Sequence, residues 1–402
     1  MTSGFIAPAE LRQRWQRLNQ WLQAHRSFWQ PVPFTTPRPD WLEHYPELAE
    51  WLAGLSDDLC QSYGADMEAL GRALVPLWPA MAEREGLLAW PQLADGDASL
   101  PEGQARDVPG RKRLQAGAFA SAVLPLEAPV LDWCCGKGHL ARTLSVHAPQ
   151  PVAGFEWDEA LVVDGNRLAV KAGRGVQLQC QDVMAGSLVL PGGIHGVALH
   201  ACGELHRQLL RQGAAQGAVR LSISPCCYHL GHAGDYRPLS RQVTTAPDAC
   251  QVSFSSLRLV VQETVTAPAR VRGLRRQTEI WRLGFDGLQR HLRGCDDYLP
   301  VPSHPTALNH RGFADFCDWA ARTKGLTIPP QWDPAHWLAA GEARQRQLRR
   351  HELVRHLFRR PLECWLVLDY ALFLQEQGYQ VRLGTFCDRR LTPRNLLLDA
   401  HR

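Results

Sequence analysis

The sequence predicts an α/β protein with a parallel sheet closed at one edge by an antiparallel hairpin. Three observations predict it. Short apolar runs recur at residues 130–132, 152–156, 176–180, 197–200 and 221–224, with helical segments between most of them; such alternation with short connections implies parallel strands and right-handed crossovers. A glycine turn follows the first run. Near the end of the chain Val381, Leu383 and Thr385 alternate along one strand and residues 395–398 offer another, which suits a closing hairpin.

Residues 1–105 read as a helical domain. Leu11, Trp15, Leu18 and Leu22 recur at helical spacing, as do Met67, Leu70 and Leu74, and Pro31, Pro33, Pro37 and Pro39 mark a loop between the two groups. This region carries no chemical motif and is expected to be a cap or substrate-side domain. Residues 106–245 form the first part of the sheet domain. Residues 246–360 read as a helical insertion, with helices near 257–264, 275–292 and 313–323 and proline-rich joints near 300–305 and 329–330. A strong helix at 361–377 and the hairpin complete the sheet domain over 361–402. Asp369 falls on the apolar stripe of that helix, beside Leu362, Trp365, Leu366, Leu372 and Phe373, so a buried partner is expected.

With 45% hydrophobic residues in 402, the chain is expected to form one large or two to three ordinary domains. No apolar run approaches a membrane span. The first ten residues lack the basic-then-apolar pattern of a signal peptide, so a cytoplasmic protein with no membrane partner is expected. The 12 cysteines include no Cys-x-x-Cys, and two pairs are vicinal; reduced thiols are the default. The net charge is +4. Asp40, Glu43, Glu47, Glu50, Asp57, Asp58, Asp66 and Glu68 make the early chain acidic. Arg344, Arg346, Arg349, Arg350, Arg355, Arg359 and Arg360 make a late segment basic. That segment is either a phosphate-tracking surface or a solvated helix face.

Residues 130–140 carry the sharpest signal. An apolar strand ends on Asp132, a turn follows with Gly136 and Gly138, and a helix begins; the next apolar run ends on Glu156, twenty residues beyond Gly136. This arrangement holds a nucleoside-containing cofactor, because glycines admit close backbone approach and the acid accepts ribose hydroxyls. NAD(P) and S-adenosylmethionine both fit such a turn. Three features favour S-adenosylmethionine. Asp132 is placed for a methionine amino group and poorly placed beside a pyrophosphate, which prefers backbone donors at a helix start. Asp182 follows the third strand, where an adenine amine needs an acceptor. The strand-and-acid spacing holds through four successive units. The bland alternative is that Glu156 and Asp182 are helix N-caps.

The segments Asp132-x-Cys134-Cys-Gly136-Lys-Gly138-His-Leu, His200-Ala-Cys202-Gly-Glu204, Ser224-Pro-Cys226-Cys227-Tyr-His229 and Thr392-Pro-Arg-Asn395 resemble a class I methyltransferase group. It includes the eukaryotic methyltransferase-like proteins, the glutathione-transferase-C-terminal-domain-containing proteins and acceptor-stem tRNA 2′-O-methyltransferases. The resemblance covers about residues 108–230 and 360–400. Arg111-Lys112-Arg113 looks like the Lys-Lys element of this group. Cys134 stands where most methyltransferases carry glycine. The first 105 residues and the insertion match less clearly, and no glutathione-transferase domain is evident. The resemblance implies a Rossmann-like methyltransferase sheet, S-adenosylmethionine bound at Asp132, Cys134, Gly136, Gly138, Glu156, Asp182 and His200, and an RNA acceptor.

Methyl transfer from a sulfonium needs an in-line nucleophile, with a base or orienting acceptor to assist. Open α/β sheets place ligands at the C-terminal ends of their strands, which selects His200, Cys202, Cys226, Cys227, Tyr228 and His229. Carbon-5 cytosine methylation would use Cys227 or Cys226 as the attacking thiolate and Cys202 to aid release. The alternatives are a floor for the cofactor pocket, or a zinc site of Cys202, Cys226, Cys227 and His229. The zinc site is set aside and no metal is expected, because vicinal cysteines rarely give tetrahedral geometry. A protein or small-molecule methyltransferase, an inactive cofactor- or RNA-binding module and an NAD(P) oxidoreductase are the other functions weighed.

Overall fold

The structure, a computed structural model, describes residues 4–94, 96–105, 107–231, 234–262 and 269–402. They form two compact units. The first comprises Met1–Ala24, Gly86–Val265 and Arg359–Arg402; the second comprises His25–Glu85 and Thr266–Phe358.

The elements of the first unit are α1 (Pro8–Ala24), α2 (Gly110–Ala122), β1 (Val130–Trp133), α3 (His139–Leu144), β2 (Val152–Glu156), α4 (Glu159–Lys171), β3 (Val176–Cys180), β4 (His195–Cys202), α5 (Glu204–Ala215) and β5 (Arg220–Cys226). Those of the second are α6 (Ala269–Arg293), α7 (Phe313–Thr323) and α8 (Pro334–His356), after several short helices between Arg26 and Leu87. The first unit then closes with α9 (Arg359–Glu376), β6 (Gln380–Thr385) and β7 (Leu396–His401).

Seven strands form one sheet in the order β3-β2-β1-β4-β5-β7-β6. The first five are parallel, and β7 runs antiparallel to both β5 and β6. Every expected strand is present, including the hairpin. All residues of β1 and β5 are buried, as suits central strands covered on both faces. The strand order reverses between β1 and β4, so the C-terminal ends of these strands open a crevice.

Helix α9 is buried along nearly its whole length. Asp369 meets the expectation of a buried partner: it accepts from Tyr236 Oη (2.6 Å) and from the amides of Leu239 and Ser240. Helix α1 packs on α9. Its buried Asn19 accepts from the Cys250 amide (2.9 Å) and from Trp365 Nε1 (3.0 Å). These contacts hold α1 and the segment through Cys250 in the first unit, whose bounds fall at residues 24, 86, 265 and 359. Residues 263–264, the end of one expected helix, lie outside the described residues.

In the second unit α6, α7 and α8 surround Trp281, Phe285, Phe313 and Phe316. The basic run is neither a phosphate track nor a solvated face. Arg344 donates to Pro33 O (3.1 Å), Arg355 to Trp29 O (3.0 Å) and Arg350 to Leu55 O, while Arg349 pairs with Asp57 at 3.6 Å. In the first unit Arg360 is buried against Glu363 (2.7 Å). Of the seven arginines only Arg346 is exposed. Long guanidinium arms here satisfy loop carbonyls that a helix face would otherwise bury unpaired.

Candidate cofactor and acceptor site

The crevice is built by backbone irregularities at strand ends. Three non-glycine residues among those described have left-handed φ: Cys134 (57°), His200 (64°) and Cys227 (47°). Cys134 and Cys227 directly follow β1 and β5, and His200 lies two residues before the end of β4. Such a conformation disfavours a side chain by about 1–2 kcal/mol, and its concentration at one crevice marks a functional site. Cys134 thus adopts the conformation for which glycine is the ordinary choice. The turn continues through Gly136 and Gly138, also left-handed. At β4 the pairing register shifts between Leu199 and Cys202, and Gly203 follows; a Cβ there would lie 1.9 Å from the Leu230 carbonyl oxygen.

Four acids and thiols converge on this turn. Asp132 is only 2% exposed and, among the described residues, accepts one hydrogen bond, from the Ala141 amide (3.1 Å). Burial, with the charge of Glu156 adding to it, pushes its carboxyl up to about 7. Glu156 is also buried. It accepts from the amides of Gly136 (2.9 Å), Trp157 (3.0 Å) and Asp158 (3.2 Å), so it clamps the glycine turn to the end of β2. The Cys134 thiol is pushed up to about 12 by burial first, then by Glu156, Asp132, Cys202 and Asp182. Asp182 is exposed and caps a turn through the Met184 amide (2.8 Å). The three sequence-selected acids therefore all lie near enough to raise the Cys134 thiol.

The far side belongs to β4 and β5. The Sγ atoms of Cys202, Cys226 and Cys227 lie within 4.8 Å of one another, and Cys202 and Cys226 are 3.7 Å apart. The neighbouring thiols of Cys202 and Cys226, with His229 and Arg394, hold the Cys227 thiol below its ordinary range, while Cys226 is raised. Burial, aided by Arg394, pushes His200 down to about 4, so it is a neutral imidazole. Its Nδ1 and that of His229 are buried and find no hydrogen-bond partner among the described residues. Tyr228 is instead structural. Its hydroxyl faces Glu363 (3.4 Å), which pairs with Arg360, and Arg360 donates to Asn395 (2.9 Å). Ser224 Oγ donates to the Arg394 carbonyl (3.0 Å). Two of the four sequence motifs are thereby laced together.

A cavity of about 350 Å³ opens beside His200 and Cys226; Arg111, Lys112, Gln115 and Arg394 also line it. Arg111 is anchored by donating to Leu391 O (2.7 Å). No carboxylate is among its lining residues. The role of this cavity was not legible from the motifs singly, because its walls come from α2 and from the loop joining β6 to β7. Trp157, directly after Glu156 and 78% exposed, was also passed over. Its signal was an aromatic residue set straight after a strand-ending acid.

Residues 123–232 match a family described as a methyltransferase domain. Residues 123–232 form a methyltransferase domain. Among solved structures, the chain is similar to an rRNA methylase from Streptococcus thermophilus at 16% identity and a TM-score of 0.24, over 29% of this chain and 71% of that one. It is similar to the Pyrococcus abyssi tRNA (uracil-54, C5)-methyltransferase in complex with S-adenosyl-L-homocysteine at 17% identity and a TM-score of 0.24, over 28% and 29%. A geranyl diphosphate methyltransferase in complex with S-adenosylmethionine matches at 18% identity and a TM-score of 0.26, over 33% and 60%. The chain thus spans less than two thirds of the length of two of these three. Among the described residues no helix is long and apolar enough to cross a membrane.

The methyltransferase crevice fits its donor. Asp132 is a buried carboxylate with one hydrogen bond and a raised proton affinity, the state of an anion awaiting a cation; the donor's ammonium is such a cation. Glu156 uses three of about four acceptor directions on backbone amides, which leaves room for a ribose hydroxyl.

Proposed function

We propose that this methyltransferase acts on RNA, as the motif resemblance implies, and that the acceptor's phosphates enter through the cavity of Arg111, Lys112 and Arg394. Asp132 holds the donor's ammonium and Glu156 its ribose. Gly136 and Gly138 admit close backbone approach. Asp182 and Trp157 flank the adenine, and Cys134 and His200 form the floor. Cys202, Cys226, Cys227 and His229 stand on the acceptor side. The observation that carries the reading is a cavity with three cations, no carboxylate in its lining, and a neutral histidine beside the crevice. A polyanion gains from such a cavity, and a cationic peptide does not.

The test is tritiated methyl transfer from S-adenosylmethionine into total RNA and total protein of cells lacking this chain. Label in RNA, abolished by Asp132→Ala and weakened by Arg394→Ala, is the expected result. Label confined to protein or small molecules would refute the RNA reading and leave the donor assignment standing.

A further inference from the structure

The two ends of β4 and β5 carry a second site. In an extended strand Cys226 and Cys227 would point to opposite faces. Vicinal cysteines rarely give tetrahedral geometry, which is why no metal is expected from the sequence. The left-handed Cys227 at 47° accompanies a different outcome: both sulfurs lie on one side. On β4, the register shift at His200 delivers Cys202 opposite Cys226. Two independent backbone distortions thus gather three sulfurs within 4.8 Å of one another. The Cys202–Cys226 distance of 3.7 Å agrees with the edge of a tetrahedron whose centre lies about 2.3 Å from each sulfur, which is about 3.8 Å.

We propose that Cys202, Cys226 and Cys227 bind one thiophilic divalent cation of the zinc type as three thiolates, with the fourth coordination position open. Thiolate ligands select such soft or borderline ions over magnesium and calcium. Binding replaces each thiol's proton with a metal–sulfur bond and releases the protons to solvent, so no oxidant or reductant takes part. His229 does not meet the distance shared by the three sulfurs, so among the described residues the protein supplies three ligands. That is the coordination of zinc sites that keep a place for water or substrate. Cys226 also lines the cation-rich cavity, so the open position adjoins the path proposed for the acceptor. The site itself stands whether or not the acceptor is RNA.

The experiment is a cadmium titration of the full chain, reduced and metal-free, followed by the ultraviolet thiolate-to-cadmium charge-transfer band, with zinc competition. One equivalent is expected, displaced by zinc in large excess but not by magnesium. Cys227→Ser and Cys202→Ser should weaken binding at least tenfold, whereas Cys60→Ser and His229→Ala keep it. Circular dichroism guards against misfolding, and zinc protection of the three thiols from alkylation, mapped by mass spectrometry on the unaltered chain, gives a reading free of variants. Absence of a stoichiometric band, unprotected cysteines, or a Cys202–Cys226 disulfide in freshly isolated protein would overturn the proposal. Loss of binding in His229→Ala would overturn the open fourth position.

Discussion

Donor affinity should depend on pH through Asp132, and the structure sets the size of the effect. Without ligand the carboxyl is pushed up to about 7 by burial and by Glu156. In the proposed assignment the ammonium of S-adenosylmethionine binds the carboxylate and not the acid. About nine-tenths of Asp132 is ionised near pH 8 and about one-tenth near pH 6, so affinity should fall roughly tenfold between them. Isothermal titration calorimetry in buffers of different ionisation enthalpy measures both the affinity and the proton released on binding near pH 6. In Asp132→Asn the slope should vanish, and affinity at pH 8 should drop by about 1–3 kcal/mol. Stability gives the opposite signature. The folded-state value lies above that of the unfolded chain, so the contribution is full at low pH and is lost as pH rises through about 7. Three units correspond to up to roughly 4 kcal/mol. Asp132→Asn should therefore melt higher than the unaltered ligand-free protein at pH 8 while binding donor less well. A pH-independent donor affinity, or an unchanged slope in the Asn variant, would refute the ammonium assignment.

Lys112→Ala and Arg394→Ala should each lower the salt slope of RNA binding by about one, with donor affinity unchanged; fluorescence anisotropy across ionic strengths reads this. Arg355→Ala should leave that slope alone and destabilise the fold by roughly 1–3 kcal/mol, because it strips a buried carbonyl of its donor, as thermal or denaturant unfolding will show. Gly203→Ala forces a Cβ to 1.9 Å from Leu230 O and should yield little folded protein, judged by soluble expression and circular dichroism. Asp369→Ala should lose roughly 3 kcal/mol or more, since Tyr236 and two amides lose their acceptor; chemical denaturation tests it.

The strands were legible because period and spacing are local properties. Asp132 and Glu156 were legible for the same reason, each standing at the end of an apolar run beside a glycine turn. The basic run was misread because composition does not say which carbonyls lie within an arginine's reach; Arg344 meets Pro33, and Arg355 meets Trp29, across some three hundred residues. Compact units followed the same logic, since Asn19 ties α1 to Cys250 and Trp365 by contacts no periodicity announces. The thiol cluster was half legible. Its members were named, but their convergence rests on two left-handed residues, His200 and Cys227, whose side chains ordinarily argue against that conformation.

The strand β7 lies between β5 and β6, although about 170 residues separate it from the end of β5. As a ribosome delivers the chain, β5 must wait with one flank of its peptide groups unsatisfied while the later segment of the second unit, up to Phe358, is made. A bare edge of that kind recruits other strands. Nascent protein halted before residue 380 should therefore be the form most prone to aggregate, and the hairpin acts as the latch that ends the exposure.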